Sequence, residues 1–161
     1  MENKRYFADT GVLFQILVDK DTINFCLKNK IISSPAVLEE FLFVFIYKPT
    51  QEIKNILRKA GFQTESTTKR RKELIKYLPK ILETFSLIEF VSVPPESKEI
   101  VLAEKVLEKL TKDVKTMDIL HVSTAILCEC DYFMTNDKKL KRWLSKNSSN
   151  IFGRDMEVKL I

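Results

Sequence analysis

Five short apolar runs, separated by longer segments with helical spacing, constrain the fold of this chain more than any other sequence feature. The runs are rich in β-branched and aromatic residues, which favour strands, and they cover residues 5–8, 31–33, 87–93, 132–135 and 156–161. One intervening segment places Leu102, Val106 and Leu110 at helical spacing. Strands that alternate with helices predict an α/β fold, in which a parallel sheet of about five strands carries helices on both faces.

Residues 49–86 form a segment longer than a single crossover helix. Leu74 and Ile81 belong to a helical apolar pattern that Pro79 interrupts. The pattern predicts two extra helices, with a bend or break near Pro79. We expect Gly61 to end the first of them, because glycine is common directly after a helix.

The length and composition bound the remaining possibilities. The 161 residues, 45% of them hydrophobic, suffice for one domain with a substantial core, and we expect a single domain over residues 1–161 with the extra helical segment inside it. No apolar run approaches the roughly 18 residues that span a bilayer, and the N-terminus lacks the apolar stretch of a signal peptide. We therefore expect a cytoplasmic protein with no membrane association.

The charge and the cysteine content restrict the possible partners and the kinds of site that the chain can form. The 27 Lys and Arg outnumber the 22 Asp and Glu, and this net charge of +5 favours a polyanionic partner such as nucleic acid. Only three glycines occur, too few for a glycine-rich phosphate loop or a dinucleotide fingerprint. Cys26, Cys128 and Cys130 lack the second pair that a zinc site would need, so we expect buried, reduced thiols.

Three aspartates lie at the ends of predicted strands or the starts of predicted helices. Asp9 ends the first strand, Asp137 follows the fourth, and Asp118 lies in the first turn of a helix. Each has a structural explanation as a helix cap or as a charge that a helix N-terminus favours. In a parallel sheet, however, the carboxyl ends of the strands share one edge, where ligand sites form. Asp118 precedes the fourth strand, so we expect it at the opposite edge unless residues 111–117 carry the chain back across the sheet.

A pair of adjacent glutamates, Glu39 and Glu40, interrupts the otherwise apolar helical segment PAVLEEFLFVFIY. A buried carboxylate is costly unless its charge is compensated. Adjacent helical positions point about 100° apart, so the two side chains cannot both face one site. Helical geometry alone does not choose between them.

If these carboxylates lie close together in the fold, they indicate a metal-binding site. Mutual repulsion would raise their pKa values, and a divalent cation would relieve that repulsion. Ligation by oxygen alone suits Mg²⁺ or Mn²⁺. Such ions activate water and stabilise the charge that develops on a phosphate, so the chemistry implied is phosphodiester cleavage.

Four segments, in order, resemble the motifs of the PIN-domain nucleases, a family that includes VapC-type toxins of toxin–antitoxin pairs. They are FADTGVLF, SSPAVLEEF, MDILHVSTAI and DYFMTNDKKLKR, and together they span nearly the whole chain. The resemblance implies a PIN-like, three-layer α/β/α fold. It also favours Glu40 over Glu39 and places Asp118 at the same edge as the other acids. The catalytic, metal-binding residues that it implies are Asp9, Glu40, Asp118 and Asp137, supported by Thr10, Thr135 and Asn136.

The function implied by the resemblance is that of a divalent-metal-dependent endoribonuclease, which hydrolyses RNA phosphodiester bonds with Mg²⁺ or Mn²⁺. The candidate partners are the RNA substrate, a second copy of the chain and, if the chain is the toxin of a pair, an antitoxin protein. The alternative is a catalytically weak or inactive PIN-like module that binds RNA or a protein partner.

Several other polar residues have expected roles. A basic run directly after Asp137 is expected to contact RNA phosphates, through Lys138, Lys139, Lys141 and Arg142. A second basic run, residues 69–72, is typical of a solvated helix face. His121 lies three residues after Asp118, on the same helix face, and is expected to be a hydrogen-bonded core residue.

Overall fold

The computed structural model describes residues 4–92, 116–152 and 157–160, and within these ranges it contains one parallel sheet and seven helices. The strands are β1 (Arg5–Ala8), β2 (Lys30–Ser33), β3 (Ile88–Phe90), β4 (Tyr132–Thr135) and β5 (Glu157–Leu160). The helices are α1 (Thr10–Ile16), α2 (Lys20–Lys28), α3 (Pro35–Ile46), α4 (Gln51–Lys59), α5 (Thr67–Phe85), α6 (Thr116–Leu127) and α7 (Lys138–Phe152). The predicted α/β fold with a five-stranded parallel sheet is confirmed. The predicted helical spacing around residues 102–110 lies outside the described residues.

The sheet has the strand order β3-β2-β1-β4-β5, with every neighbouring pair parallel. Strand β1 lies at the centre, where Phe7 and Ala8 are fully buried. Phe7 stacks on Phe133 of β4, with ring centroids 5.5 Å apart. The strand that follows β1 in the chain lies on one side of it, and β4 lies on the other. Such a reversal of strand order opens a crevice beyond the carboxyl ends of the two central strands.

Helices begin almost at once after the strands at this edge, because polar side chains cap them. Asp9 accepts a hydrogen bond from the backbone N–H of Val12 at 3.3 Å and so caps α1. Ser34 caps α3 in the same way, and Pro35 occupies the first helical position, where a missing N–H is tolerated. The short connections hold the first turns of these helices against the ends of the strands.

The segment between β2 and β3 contains the two expected extra helices, α4 and α5. Helix α4 ends at Lys59 with Ala60 as its C-cap, and Gly61 follows with φ +88°, a conformation that favours glycine, as predicted. Of the predicted bend or break near Pro79, the break is wrong, since α5 continues through that residue. Pro79 removes the hydrogen bond to the carbonyl of Ile75, but both residues are exposed, so water can satisfy that carbonyl.

Three residues of the basic run at 69–72 are exposed, as expected of a solvated helix face, but the fourth, Arg70, is only 6% exposed. Its guanidinium donates to the carbonyl of Ile46, at the end of α3, and to the carbonyl of Thr64, each at 2.8 Å. A third bond, of 3.2 Å, reaches the Thr67 hydroxyl. Arg70 therefore fastens α5 to the C-terminus of α3, whose last carbonyls have no partner within the helix.

The cysteines agree with the sequence-based expectation of buried thiols. Cys26, Cys128 and Cys130 are buried and form no disulfide, and burial raises the pKa of the Cys26 thiol to about 11. Of the helices in the described ranges, none combines the length and the apolar character that crossing a membrane requires.

Candidate active site

A cleft opens at the carboxyl edge of the sheet, beside the ends of β1 and β4. All four predicted acids line it: Asp9, Glu40, Asp118 and Asp137. They come from four different parts of the fold, namely the starts of α1, α6 and α7 and the second turn of α3. The fold thus brings together carboxylates that lie up to 128 residues apart in the sequence.

Asp9 is the most buried of these acids, with 7% of its surface exposed. Burial raises the pKa of its carboxyl from 3.8 to about 6, and the nearby charge of Asp118 acts in the same direction. Hydrogen bonds with the Thr135 hydroxyl and the Val12 N–H oppose this shift, as does the charge of His121. The buried carboxylate therefore lies where a cation would be strongly favoured.

Glu40 is oriented by two side chains from other helices. The Thr10 hydroxyl donates to its Oε2, and Nε2 of His121 lies 2.9 Å from the same oxygen. A carboxylate can only accept, so the form of His121 that can donate to Glu40 is the one with a proton on Nε2. Glu39 also borders the cleft but is exposed, so the structure distinguishes two glutamates that helical geometry alone left equivalent.

Asp118 lies at the same edge as the other acids, and the expectation that its helix would begin at the opposite edge is wrong. In a βαβ unit the helix runs antiparallel to the strands. Helix α6 precedes β4, so its N-terminus lies near the carboxyl ends of the strands and its C-terminus near the start of β4. No return of the chain across the sheet is needed to bring Asp118, at the beginning of α6, into the cleft.

Asp137 serves as a helix cap as well as lining the cleft. Its Oδ1 accepts hydrogen bonds from the backbone N–H groups of Lys139 at 2.7 Å and Leu140 at 3.1 Å. Its own N–H donates to the hydroxyl of Thr135 at 3.0 Å. The fully buried Thr135 therefore connects Asp137 to Asp9, and the two bonds fix the end of β4 relative to the end of β1.

Asn136 packs against Gly11 across the floor of the cleft. A Cβ atom added at Gly11 would lie 2.1 Å from Oδ1 of Asn136, far inside contact distance. Only a glycine therefore allows the amide to approach α1 this closely. Sequence reasoning identified Asn136 but missed Gly11, although a glycine two residues after a predicted catalytic acid was an available signal.

Basic residues occupy one rim of the cleft. Lys138 and Lys139, exposed at the start of α7, line it. Lys141 and Arg142 do not line it, so the structure brings only half of the predicted phosphate-contacting run to the acids. Lys48, which no sequence motif indicated, borders the cleft from the loop that follows α3.

The described acids suit a hard divalent cation in their chemistry, although they do not form a closed cage. Within residues 4–92, 116–152 and 157–160, no three His, Cys, Asp or Glu side chains are close enough together to hold one ion. Mg²⁺ is commonly bound by only one or two carboxylates and keeps several waters or substrate phosphate oxygens. The buried, repelled carboxylate of Asp9 beside Asp118 meets that requirement, so the residues fit such an ion.

Comparison with known proteins supports the assignment of the fold to one family. A family model described as the PIN domain matches residues 6–143, which include all four acids. A search of curated proteins finds no match. The match covers most of the chain and runs from β1 into α7. The chain therefore belongs to the PIN domain family, whose members are in general nucleases.

Proposed function

We propose that the protein is a divalent-metal-dependent endoribonuclease. The observation that carries the proposal is the convergence of four carboxylates on one cleft, with the carboxyl of Asp9 buried and its pKa raised to about 6. Structural roles alone do not require such a concentration of negative charge. A nuclease site does, since it must hold cations opposite a phosphate.

The residues divide into holding, orienting and substrate-contacting groups. Asp9 and Asp118 would hold Mg²⁺ or Mn²⁺, with Glu40 and Asp137 completing the acidic surface. When bound, the ion supplies Lewis-acid chemistry, activating water and neutralising charge on the scissile phosphate. Thr10 and His121 keep the Glu40 carboxylate turned toward the cleft.

Lys138 and Lys139 would bind the phosphates on either side of the cut, because they lie on the rim beside Asp137. Replacing both with alanine should weaken RNA binding and lower its dependence on salt. The matched control is the pair Lys141→Ala and Arg142→Ala, which removes two charges from α7 away from the cleft.

The test is cleavage of single- and double-stranded RNA, with DNA controls, by the wild type and by Asp118→Asn in Mn²⁺, Mg²⁺ and EDTA. We expect cutting of RNA that disappears in EDTA and in the variant. Glu40→Gln and Glu39→Gln form a matched pair on one helix, and only the first should lose activity. Folded wild-type protein that cuts no RNA under any of these conditions would overturn the proposal.

A second candidate is an RNA-binding module with little or no turnover. It is favoured by the engagement of the acids within the protein, since Glu40 bonds to Thr10 and His121 while Asp137 caps α7. This candidate predicts that RNA binding persists in Asp9→Asn and Asp118→Asn and that no metal gives cleavage.

The role of toxin in a toxin–antitoxin pair rests on the sequence resemblance. Induced expression in a bacterial host should then arrest growth, and Asp118→Asn should relieve the arrest. Normal growth at high expression of active nuclease would separate the enzymatic activity from the toxin role.

A further inference from the structure

Two aromatic rings are exposed at the C-terminal end of α3, one in its last turn and one at its C-cap, next to the acidic cleft. In the described part of the chain, the exposed large hydrophobic side chains are Leu27, Phe43, Tyr47, Ile75 and Leu82. The only aromatic members, Phe43 and Tyr47, are neighbours one helical turn apart and are 48% and 46% exposed. Their ring centroids lie 5.4 Å apart with an angle of 38° between the planes.

Phe43 and Tyr47 are exposed because they lie on the face of the helix that points away from the hydrophobic core. Phe41 and Phe45, on the opposite face of α3, are fully buried. The stripe that contains Glu40 and Val44 faces the cleft. Phe43 lies at the rim of that cleft and Tyr47 one turn beyond it, so the pair continues the acidic site outward along the helix.

Two cations accompany the rings. Nζ of Lys48 lies 5.7 Å from the centroid of Phe43, and the guanidinium of Arg71 lies 5.9 Å from that of Tyr47. Arg71 also donates to the Tyr47 hydroxyl at 2.9 Å, which fixes that ring from the neighbouring helix α5. Exposed rings with adjacent cations match single-stranded nucleic acid, whose bases stack while its phosphates need positive charge.

We propose that Phe43 and Tyr47, here called the aromatic platform, stack unpaired bases of the RNA strand that enters the cleft, while Lys48 and Arg71 contact its phosphates. This inference rests on the proposed function and names its substrate class: RNA with unpaired bases beside the cut. Along α3, Phe43 lies about 4.5 Å and Tyr47 about 10 Å beyond Glu40. Bases stacked at about 3.4 Å intervals would therefore meet the platform within roughly three nucleotides of the acids.

The extra helical segment helps to position the aromatic platform. Arg71 belongs to α5, which Arg70 fastens to the end of α3, so α5 holds the outer ring of the platform in place. Glu39, one turn before Phe43, is exposed and disfavours a phosphate there. The phosphate backbone should therefore follow the side of the platform that carries Lys48 and Arg71.

The experiment measures binding of a fluorescent single-stranded RNA 12-mer, and of the matching duplex, to proteins carrying Asp9→Asn in EDTA, so that no cleavage intervenes. Adding Phe43→Ala with Tyr47→Ala should weaken single-strand binding by about tenfold or more and leave duplex binding unchanged. Phe43→Trp with Tyr47→Phe, which retains two aromatic rings, should preserve single-strand binding. The matched control, Ile75→Ala with Leu82→Ala, removes exposed apolar side chains elsewhere and should have no effect.

The outcomes separate this inference from the proposed function. The inference is wrong if the platform variants bind single-stranded RNA as tightly as the Asp9→Asn protein with the platform intact. This holds even if the wild type cuts RNA through Asp118. A tenfold loss confirms it, even if the wild type cuts nothing. If the same variants instead convert a dimer to a monomer in sedimentation while RNA binding is unchanged, the rings form an interface between copies and the inference is wrong.

Discussion

At the scale of single residues, Asp9 combines a helix-capping role with an unfavourable charge. Its carboxylate caps α1 and contacts Thr135, yet burial raises its pKa to about 6. In the unfolded chain the same group ionises near its ordinary value of 3.8. Between these values the folded protein binds more protons than the unfolded chain, so stability decreases as the pH rises through this window.

We predict that Asp9→Asn stabilises the metal-free protein at pH 7.5 but not at pH 4. Asparagine keeps the cap and never ionises, so the variant avoids a cost of up to about 3 kcal/mol for a shift of roughly two pKa units. Urea denaturation in EDTA at the two pH values measures the difference. The exposed Asp21 on α2 provides the control variant, Asp21→Asn, and a stability gain independent of pH would contradict the prediction.

Gly11 acts on the site through Asn136. We predict that Gly11→Ala leaves the protein folded but lowers RNA cleavage by about ten- to a hundredfold, because the new Cβ displaces the Asn136 amide by more than an ångström. Cleavage by Gly11→Ala, Asn136→Ala and the double variant forms a cycle. The double variant should be no worse than Asn136→Ala, and additive losses would show that Gly11 acts by another route.

At the scale of elements, α3 organises the site on one face and meets the extra helical segment at its end. Its second turn brings Glu40 to the cleft, and its last carbonyls bond to Arg70 of α5. Aromatic contacts strengthen the same junction, since Phe41 packs edge-on against Phe85 with centroids 5.1 Å apart. The extra segment is thus part of the support for α3 and not an independent appendage.

Arg70→Met should destabilise the protein by roughly 2–4 kcal/mol, because the buried carbonyl of Thr64 and the part-buried carbonyl of Ile46 lose their charged partner. The exposed Lys72, two residues along α5, provides the control Lys72→Met, which should change stability by less than about 0.5 kcal/mol. Denaturant melts of both variants make the comparison. Equal effects would show that the bonds of Arg70 contribute little.

At the scale of the whole molecule, a basic protein concentrates acidic side chains in one cleft. The net charge is +5, whereas four carboxylates line one cleft at the carboxyl edge of the sheet. The overall charge favours association with a polyanion, and cations must neutralise the acids before a phosphate can approach them. Metal binding and folding should therefore be linked, because only the folded chain assembles the acids.

We predict that Mn²⁺ raises the melting temperature of the wild type in a concentration-dependent manner. Above the dissociation constant, each tenfold increase in Mn²⁺ should add about 1.4 kcal/mol of stability. Asp118→Asn should lose most of this response, and Glu39→Gln should keep it. Differential scanning fluorimetry across a Mn²⁺ series measures the effect without any substrate, and equal responses in all three proteins would place the metal elsewhere.

The sequence by itself predicted most of the strands and helices and placed acidic residues directly after two of the strands. Strands β1 and β4 are short runs in which aromatic residues recur, a local pattern, and Asp9 and Asp137 follow them within two residues. Local patterns did not reveal that α5 continues through Pro79, because exposure of the carbonyl of Ile75 is what makes the proline tolerable there.

Only the tertiary structure decided which side chains meet. It distinguished Glu40 from Glu39 through bonds to Thr10 and His121, which come from helices distant in sequence. It also exposed Phe43 on a helix whose apolar residues, read alone, all resemble core. The physical reason is that hydrophobic spacing records the favourable face of an element, whereas burial, contact and pKa depend on what the rest of the chain places against that face.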